Sequence, residues 1–287
     1  MKMNNDKIEK CRICGSDMRY RFNARGYSLY RCNGCTFEQI RISADDNTIE
    51  YTQEYFESSK YTYRTALDKE HKRRLKLLKR YVPTRATVLD YGCASGEFVD
   101  YASDDYDIYG CDISADAIKT AIDRFDGNKA KFMTLDKLWE SDCRYKAVCL
   151  WDVIEHIEYP CDVLKKLRDK TEKGGYVIIS TPNIGALFAR ITKSKWPFMT
   201  PPEHLGFFTR QSMEYLAEKL GFSICDWQTH GKWANVGFIM YKFNRVSKIK
   251  IPSCVVSVFS RGLMGRLHVY VPTGDVQYIV FKRKEEC

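Results

Sequence analysis

The chain has 287 residues and a formal net charge of +9, with 44% hydrophobic and 29% charged residues. This composition excludes a disordered chain and a collagen-like fibre, and no run approaches the ~18 apolar residues of a membrane-spanning helix. The first seven residues lack the apolar segment of a secretory signal, so we expect a cytoplasmic protein. At roughly 150 residues per domain, the length allows one large domain or two modest ones.

The charge is distributed unevenly along the chain. Residues 1–85 and 191–287 carry net charges of +8 and +7, whereas residues 86–190 carry −6. This pattern favours a central domain that binds one ligand, between flanks that face something anionic. The alternative is that the flanking cations are solvated faces of ordinary helices.

Four of the twelve cysteines form a metal-binding pattern near the N-terminus. Cys11 and Cys14 make one C-x₂-C pair, and Cys32 and Cys35 make a second pair 17 residues further on. Two such turns complete the tetrahedral sulfur shell of zinc, and four thiolates leave no position for water, so the zinc would be structural. We therefore predict a zinc-ribbon-like module over residues 1–42, and we expect the other cysteines to be core or incidental residues.

A basic helix is predicted between this module and the rest of the chain. Residues 43–85 are expected to be a helical linker or cap, with a helix that Pro83 ends. Apolar or aromatic residues recur there at helical spacing, namely Leu67, His71, Leu75, Leu78 and Val82.

From residue 86 onward, short apolar strands alternate with helices. We expect strands over residues 87–91, 108–112, 131–134, 147–151 and 176–180, and a last strand over residues 277–281. Such alternation predicts an α/β fold with a doubly wound, Rossmann-like parallel sheet.

The first of these strands ends in a candidate ligand-binding loop. Gly92 and Gly96 follow Asp90 in a G-x-x-x-G turn, and Asp112 ends the second strand, where its carboxylate can accept both hydroxyls of a ribose. The loop has neither the central glycine of a dinucleotide site nor the Lys-Ser/Thr of a P-loop. These features favour an adenosyl group that carries no phosphate.

The motifs together resemble the class I S-adenosylmethionine-dependent methyltransferases over residues 50–287. The glycine-rich motif lies at residues 90–98, the ribose motif at 112–114, a D-V-I-E-H segment at 152–156, and a fifth-strand ending at 180–183. Residues 202–209 and 220–222 resemble a subgroup that contains quinone O-methyltransferases and sugar or cell-envelope glycan methyltransferases. The resemblance implies a seven-stranded methyltransferase domain over residues 86–287.

The resemblance also implies roles for individual residues. It assigns S-adenosylmethionine to nine positions, namely Asp90, Gly92, Cys93, Gly96, Asp112, Ile113, Leu135, Trp151 and Asp152. His156 is the candidate base with Glu155 as its partner, and His204 and Asn183 are candidate substrate residues. The pair at 155–156 could instead be structural, or Asp152, Glu155 and His156 could share a helix face and bind a divalent metal.

The expected reaction is methyl transfer to a hydroxyl, or a carbon, of a small acceptor that contains a sugar or is linked to a lipid. The basic flanks fit an anionic acceptor. Two alternatives remain open: a zinc-module RNA methyltransferase, and a non-catalytic protein that binds S-adenosylmethionine. Residues 234–270 are predicted to form a substrate lid, a peripheral contact with an anionic membrane, or a plain packing pair of helices.

Overall fold

The computed structural model describes residues 9–42, 64–125, 129–236, 239–240, 244, 251–260 and 268–285. In the N-terminal module, β1 (Met18–Ala24) and β2 (Tyr27–Cys32) form an antiparallel hairpin, and β3 (Glu38–Ile40) pairs with β2. Arg25 and Gly26 both have positive φ, the conformation of a tight turn that matches the twist of two antiparallel strands.

The remaining large strands form one sheet. Their bounds are β4 (Thr87–Tyr91), β5 (Asp107–Asp112), β6 (Lys131–Thr134), β7 (Tyr145–Trp151), β8 (Thr171–Pro182), β10 (Phe222–Asn235) and β11 (His268–Arg283). They are ordered β10-β11-β8-β7-β4-β5-β6. The five strands from β8 to β6 are parallel, while β11 runs antiparallel to both of its neighbours. This arrangement confirms the predicted α/β fold and the seven-stranded sheet.

Helices cover the sheet and connect its strands. Their bounds are α1 (Arg64–Tyr81), α2 (Glu97–Ala102), α3 (Ala115–Phe125), α4 (Leu135–Glu140), α5 (Pro160–Lys170), α6 (Leu187–Thr192), α7 (Arg210–Lys219) and α8 (Ser253–Ser260). Helix α1 ends two residues before Pro83, as the sequence predicts, because proline cannot continue a helix.

The core lies on both faces of the sheet. Successive residues of β4 alternate between two buried clusters, with Val88 on one face and Leu89 on the other, as strands covered on both sides require. Ile13 and Phe37 of the N-terminal module belong to the same cluster as Leu89. The module is therefore packed into the core of the sheet domain.

The two-residue strand β9 (Gly206–Phe207) lies outside the large sheet. It pairs antiparallel with β3, so the module's sheet has the order β1-β2-β3-β9 and takes its last strand from the other end of the chain. Sequence periodicity does not predict this pairing, because two residues carry no measurable period.

Much of the predicted lid at residues 234–270 lies outside the described residues. Of its described part, α8 exposes Val258 to 63%. The choice between lid, membrane contact and packing helices therefore stays a prediction. Among the described helices, none combines the length and the apolar character needed to cross a membrane.

Candidate functional site

The glycine-rich loop joins β4 to α2 at the carboxyl edge of the sheet. Gly92 and Gly96 have φ values of 79° and 85°, and a Cβ at Gly92 would lie 2.6 Å from a methyl of Val153. At Gly96 a Cβ would lie 2.7 Å from the Phe132 ring. Both glycines are therefore needed for backbone conformation and for close packing of the loop on its own neighbours.

A buried carboxylate holds this loop in place. Asp112 ends β5 and is 8% exposed; its Oδ2 accepts from the Ala94 backbone N–H and its Oδ1 from that of Ser114, both at 2.9 Å. Ala94 itself has φ 49°, which costs an L-residue roughly 1–2 kcal/mol. Each Asp112 oxygen can still accept a second hydrogen bond, as a ribose with two adjacent hydroxyls would require.

Two further cofactor candidates lie beside this carboxylate in sequence or space. Ile113 is 74% exposed, which is unusual for an isoleucine and leaves its side chain open to an adenine ring. Leu135 is half-buried at the start of α4, directly after β6, which pairs with β5. Both residues lie at the carboxyl edge of the sheet, and their contact with the cofactor stays a prediction.

Cys93 lies in the core, as expected for the cysteines outside the two N-terminal pairs. Its side chain is buried in the core, and a Cβ on Gly110 would lie 2.8 Å from the Cys93 sulfur. The thiol therefore packs beneath the loop, and only the Cys93 backbone could contact a cofactor.

The other half of the edge combines acidic, basic and aromatic groups. Asp152 has φ 57° and accepts from Arg74 Nη2 at 2.8 Å through its Oδ2. The Arg74 guanidinium also lies 5.3 Å from the centre of the Trp151 ring. Sequence reasoning missed Arg74, because it is one of several cations on α1 and nothing in the local sequence distinguishes it from the others.

Three polar atoms at this place are buried without a hydrogen-bond partner among the described residues. They are Asp90 Oδ1, Arg74 Nε and Trp151 Nε1. Burial raises the pKa of Asp90 to about 7, with Arg74 opposing and Asp112 adding to the rise. Unpaired buried polar atoms are rare, so this cluster marks a place where a zwitterionic ligand would satisfy both signs of charge.

The segment after β7 presents the candidate catalytic residues. Ile154–His156 form a single 3₁₀ turn. Glu155 is buried and its Oε2 accepts from Thr181 Oγ1 at 2.9 Å, while His156 Nδ1 lies 2.8 Å from the Glu203 carbonyl oxygen. The His156 and His204 rings are 4.8 Å apart in an edge-to-face arrangement.

These residues form a candidate cation site that differs from the predicted one. One side-chain ligand atom from each of Glu155, His156 and His204 lies within 4.8 Å of the others. The hypothesis that joined Asp152 to this set assumed an α-helical face. In the structure the segment is a 3₁₀ turn, and Asp152 is paired with Arg74 instead.

Asn183 holds a turn near the same edge. It is 5% exposed, and its Oδ1 accepts from the Gly185 backbone N–H at 2.9 Å. This bond gives Asn183 a structural role, while its predicted contact with the substrate stays a prediction.

The four N-terminal cysteines are brought together as their spacing predicts. Their sulfur atoms all lie within 4.8 Å of one another, with 3.6 Å between Cys11 and Cys35 and 3.2 Å between Cys14 and Cys32. A tetrahedral zinc shell with bonds of about 2.3 Å places its sulfurs ~3.8 Å apart. The cluster can therefore hold a metal ion of that size.

Comparison with known proteins identifies the class of the domain. A family profile described as "Methyltransferase domain" matches residues 62–226, more than half of the chain. The chain therefore belongs to this family, and its domain is that of a methyltransferase that depends on S-adenosylmethionine.

One curated relative is the mitochondrial ubiquinone biosynthesis O-methyltransferase of Candida albicans. It is 31% identical over 107 residues, which are 34% of this chain and 32% of that protein. The matched region thus spans about a third of the relative's length.

Solved structures share the fold at low sequence identity. A magnesium protoporphyrin IX methyltransferase from Synechocystis, crystallised with bound SAH, has a TM-score of 0.50 at 18% identity, covering 83% of this chain and 90% of its own. The YcgJ protein of Bacillus subtilis has a TM-score of 0.52 at 12% identity, with coverages of 75% and 100%.

The residues at the edge of the sheet fit S-adenosylmethionine. Asp112 can accept the ribose hydroxyls, the unpaired Asp90 oxygen suits an ammonium, and the Arg74 guanidinium suits a carboxylate. Groups complementary to both ends of the cofactor are thus present along one edge of the sheet.

Two variants and two ligands test whether Asp112 binds the ribose and Arg74 binds the carboxylate of the cofactor. Asp112→Ala should weaken both S-adenosylhomocysteine and methylthioadenosine by at least about tenfold, because each lost charge-assisted bond contributes roughly 1.5–3 kcal/mol. Arg74→Gln should weaken S-adenosylhomocysteine by about tenfold and leave methylthioadenosine unchanged, because that ligand has no amino-acid carboxylate. Isothermal titration calorimetry measures all four affinities.

The matched control is Arg73→Gln, since Arg73 precedes Arg74 on α1 but bonds Glu70. It should leave both affinities unchanged. An equal loss of both ligands in Arg74→Gln would show that Arg74 shapes the fold rather than binding the carboxylate.

Proposed function

We propose that the protein transfers a methyl group from S-adenosylmethionine to a hydroxyl of a small acceptor. The observation that carries this proposal is that His156, in the turn directly after β7, lies against His204 and beside the buried Glu155 carboxylate. The similarity to a ubiquinone biosynthesis O-methyltransferase supports a small hydroxyl-bearing acceptor.

Hydrogen bonding determines which histidine nitrogen can accept a proton. A carbonyl oxygen only accepts a hydrogen bond. His156 Nδ1 must therefore donate to the backbone carbonyl of Glu203, and His204 Nδ1 to that of Phe198, each at 2.8 Å. In the neutral rings the basic lone pair therefore lies on Nε2. Both histidines are thereby prepared to act through Nε2.

The protein itself forms no covalent bond with the methyl group in this reaction. S-Adenosylmethionine supplies the activated methyl group, so this chain must align the acceptor oxygen and remove its proton. We assign proton removal to His156, with Glu155 as its acidic neighbour, and contact with the acceptor to His204.

A divalent cation at Glu155, His156 and His204 is a second way to activate the acceptor. Carboxylate oxygen and imidazole Nε2 are ligands of zinc and related ions. Such an ion would favour the deprotonated acceptor hydroxyl by its charge.

We propose an anionic or sugar-containing acceptor rather than RNA. A zinc module that binds RNA needs basic residues free to meet phosphates, but Arg21 and Arg31 of this module pair with the buried Glu38. Arg12 lies 3.7 Å from Glu158. These internal ion pairs reduce the charge available for phosphates along a nucleic acid. Peripheral contact with a membrane remains part of the proposal for lipid-linked acceptors.

The proposed structural metal in the cysteine cluster is zinc. Four thiolates bind zinc as a closed shell, and the small three-stranded module has little core of its own. This zinc would hold the module together and take no part in the reaction.

Metal analysis tests the zinc site. The purified protein should contain about one zinc per chain, and Cys14→Ser should lower this content, because three thiolates bind the ion less tightly. Cys143→Ser is the control, since Cys143 is an exposed cysteine outside the cluster. A metal-free protein whose strands β1–β3 still protect their amides from exchange would contradict the zinc assignment.

Mass spectrometry with methyl-deuterated S-adenosylmethionine tests the acceptor class. The enzyme should label an acceptor among a polyprenyl dihydroxybenzoate, nucleotide sugars and a polyprenyl-linked glycan, and it should leave RNA unlabelled. The Asp112→Ala variant measures the background. Labelled RNA without a labelled small molecule would contradict the proposed acceptor.

Substitution of His156 tests its role as the base. His156→Ala should lower turnover by about 10²–10⁴ while the affinity for S-adenosylhomocysteine is unchanged, because a positioned base contributes that much to the rate. His156→Gln should be equally slow, since its amide can still donate a hydrogen bond but has no basic nitrogen. Recovery of activity in His156→Gln would indicate a structural role, and loss of wild-type activity with a chelator would favour the cation.

A further inference from the structure

Strand β3 of the N-terminal module contacts one side of the segment that carries His204. Strand β3 pairs with β9, with Gln39 opposite Gly206 and Glu38 opposite Phe207. The Ile40 backbone N–H also donates to the Leu205 carbonyl at 3.1 Å. Residues 205–207 are thus fixed on one side by backbone hydrogen bonds and pairing with the module.

The same segment is fixed on its other side by the 3₁₀ turn at Ile154–His156. The Leu205 backbone N–H donates to the Glu155 carbonyl at 2.8 Å. The His204 ring lies 6.1 Å from the Phe207 ring and 4.8 Å from the His156 ring. A displacement of this segment would therefore change the geometry of the histidine pair.

Buried polar bonds connect β3 to the cysteine cluster. Gln39 is fully buried. Its Oε1 accepts from the Arg12 backbone N–H, and its Nε2 donates to the Lys10 backbone carbonyl, both at 3.0 Å. Arg12 lies between two of the cysteines, so the position of β3 depends on the shape of the first C-x₂-C turn. Buried hydrogen bonds of this kind hold one arrangement, because breaking them leaves unpaired groups.

Close packing leaves no free space between the module and β9. A Cβ at Gly206 would lie 2.7 Å from Phe37 Cζ, and Phe37 is itself buried against Phe208 with ring centres 4.9 Å apart. Any group larger than hydrogen at residue 206 must push the module and the segment apart, because interiors at this density do not absorb a methyl group.

We infer that the N-terminal module with its cysteine cluster positions the acceptor side of the site. It does so by fixing the arrangement of His204 and His156 through β3, Leu205 and Glu155. This inference rests on the proposed function of the two histidines. According to this inference, the module affects binding and activation of the acceptor. The cofactor pocket, which is built by β4, β5 and α1, does not depend on the module.

Histidine NMR tests the inference without a known acceptor. The chain has five histidines, so a protein labelled at histidine gives few ring signals. Gly206→Ala should shift the signals of His156 and His204 and should leave those of His71 and His230 in place. His71 packs against Phe98 and His230 against Tyr278, at contacts that do not involve the module.

A compensating change provides the control. Phe37→Leu removes the ring atom nearest to the new methyl group, so the double variant Gly206→Ala/Phe37→Leu should return both signals toward their wild-type positions. Cys14→Ser, which lowers the metal content of the module alone, should shift the same two signals. The affinity for S-adenosylhomocysteine by calorimetry should be unchanged in every case.

The possible outcomes separate the two claims. Unchanged His156 and His204 signals in Gly206→Ala and in Cys14→Ser would overturn the positioning role. Equal shifts at all histidines with loss of S-adenosylhomocysteine binding would overturn it as well. Failure of the wild-type protein to bind S-adenosylhomocysteine would instead overturn the proposed function, whatever the histidine signals show.

Discussion

The burial of three carboxylates at one edge of the sheet is the constraint on which the site depends. Asp90, Asp112 and Glu155 are 2%, 8% and 1% exposed. A buried carboxylate is costly unless cations or donors surround it, and burial accordingly raises the pKa of both Asp90 and Asp112. The chain meets this demand in part, with Arg74 near Asp90 and backbone N–H groups at Asp112, and a cofactor with an ammonium and two ribose hydroxyls would meet the rest.

Local sequence signals predict the parts of the fold that are built from neighbouring residues. Strand β4, the glycine loop after it and Asp112 could all be found, because a buried strand, a turn with positive φ and a strand-end carboxylate each leave a mark in a short window. Arg74 could not be found, since its partner Asp152 is 78 residues away. The β3–β9 pairing and the grouping of His204 with His156 escaped for the same reason: both depend on long-range packing that periodicity does not report.

The proposed function assigns the cofactor and the acceptor to different parts of the chain. The cofactor side is built from parallel strands and α1, which bury continuous apolar surface on both faces of the sheet. The proposed acceptor side consists of the turn after β7 and the segment at residues 204–208. The segment is joined to the cysteine module by hydrogen bonds, strand pairing and packing.

A crystal structure with S-adenosylhomocysteine tests the central claim most directly. The account predicts ribose hydroxyls on the Asp112 carboxylate, the ammonium on Asp90 and the carboxylate beside Arg74, with the sulfur facing His156. A ligand bound elsewhere on the molecule, or one whose ribose leaves Asp112 without contact, would contradict it.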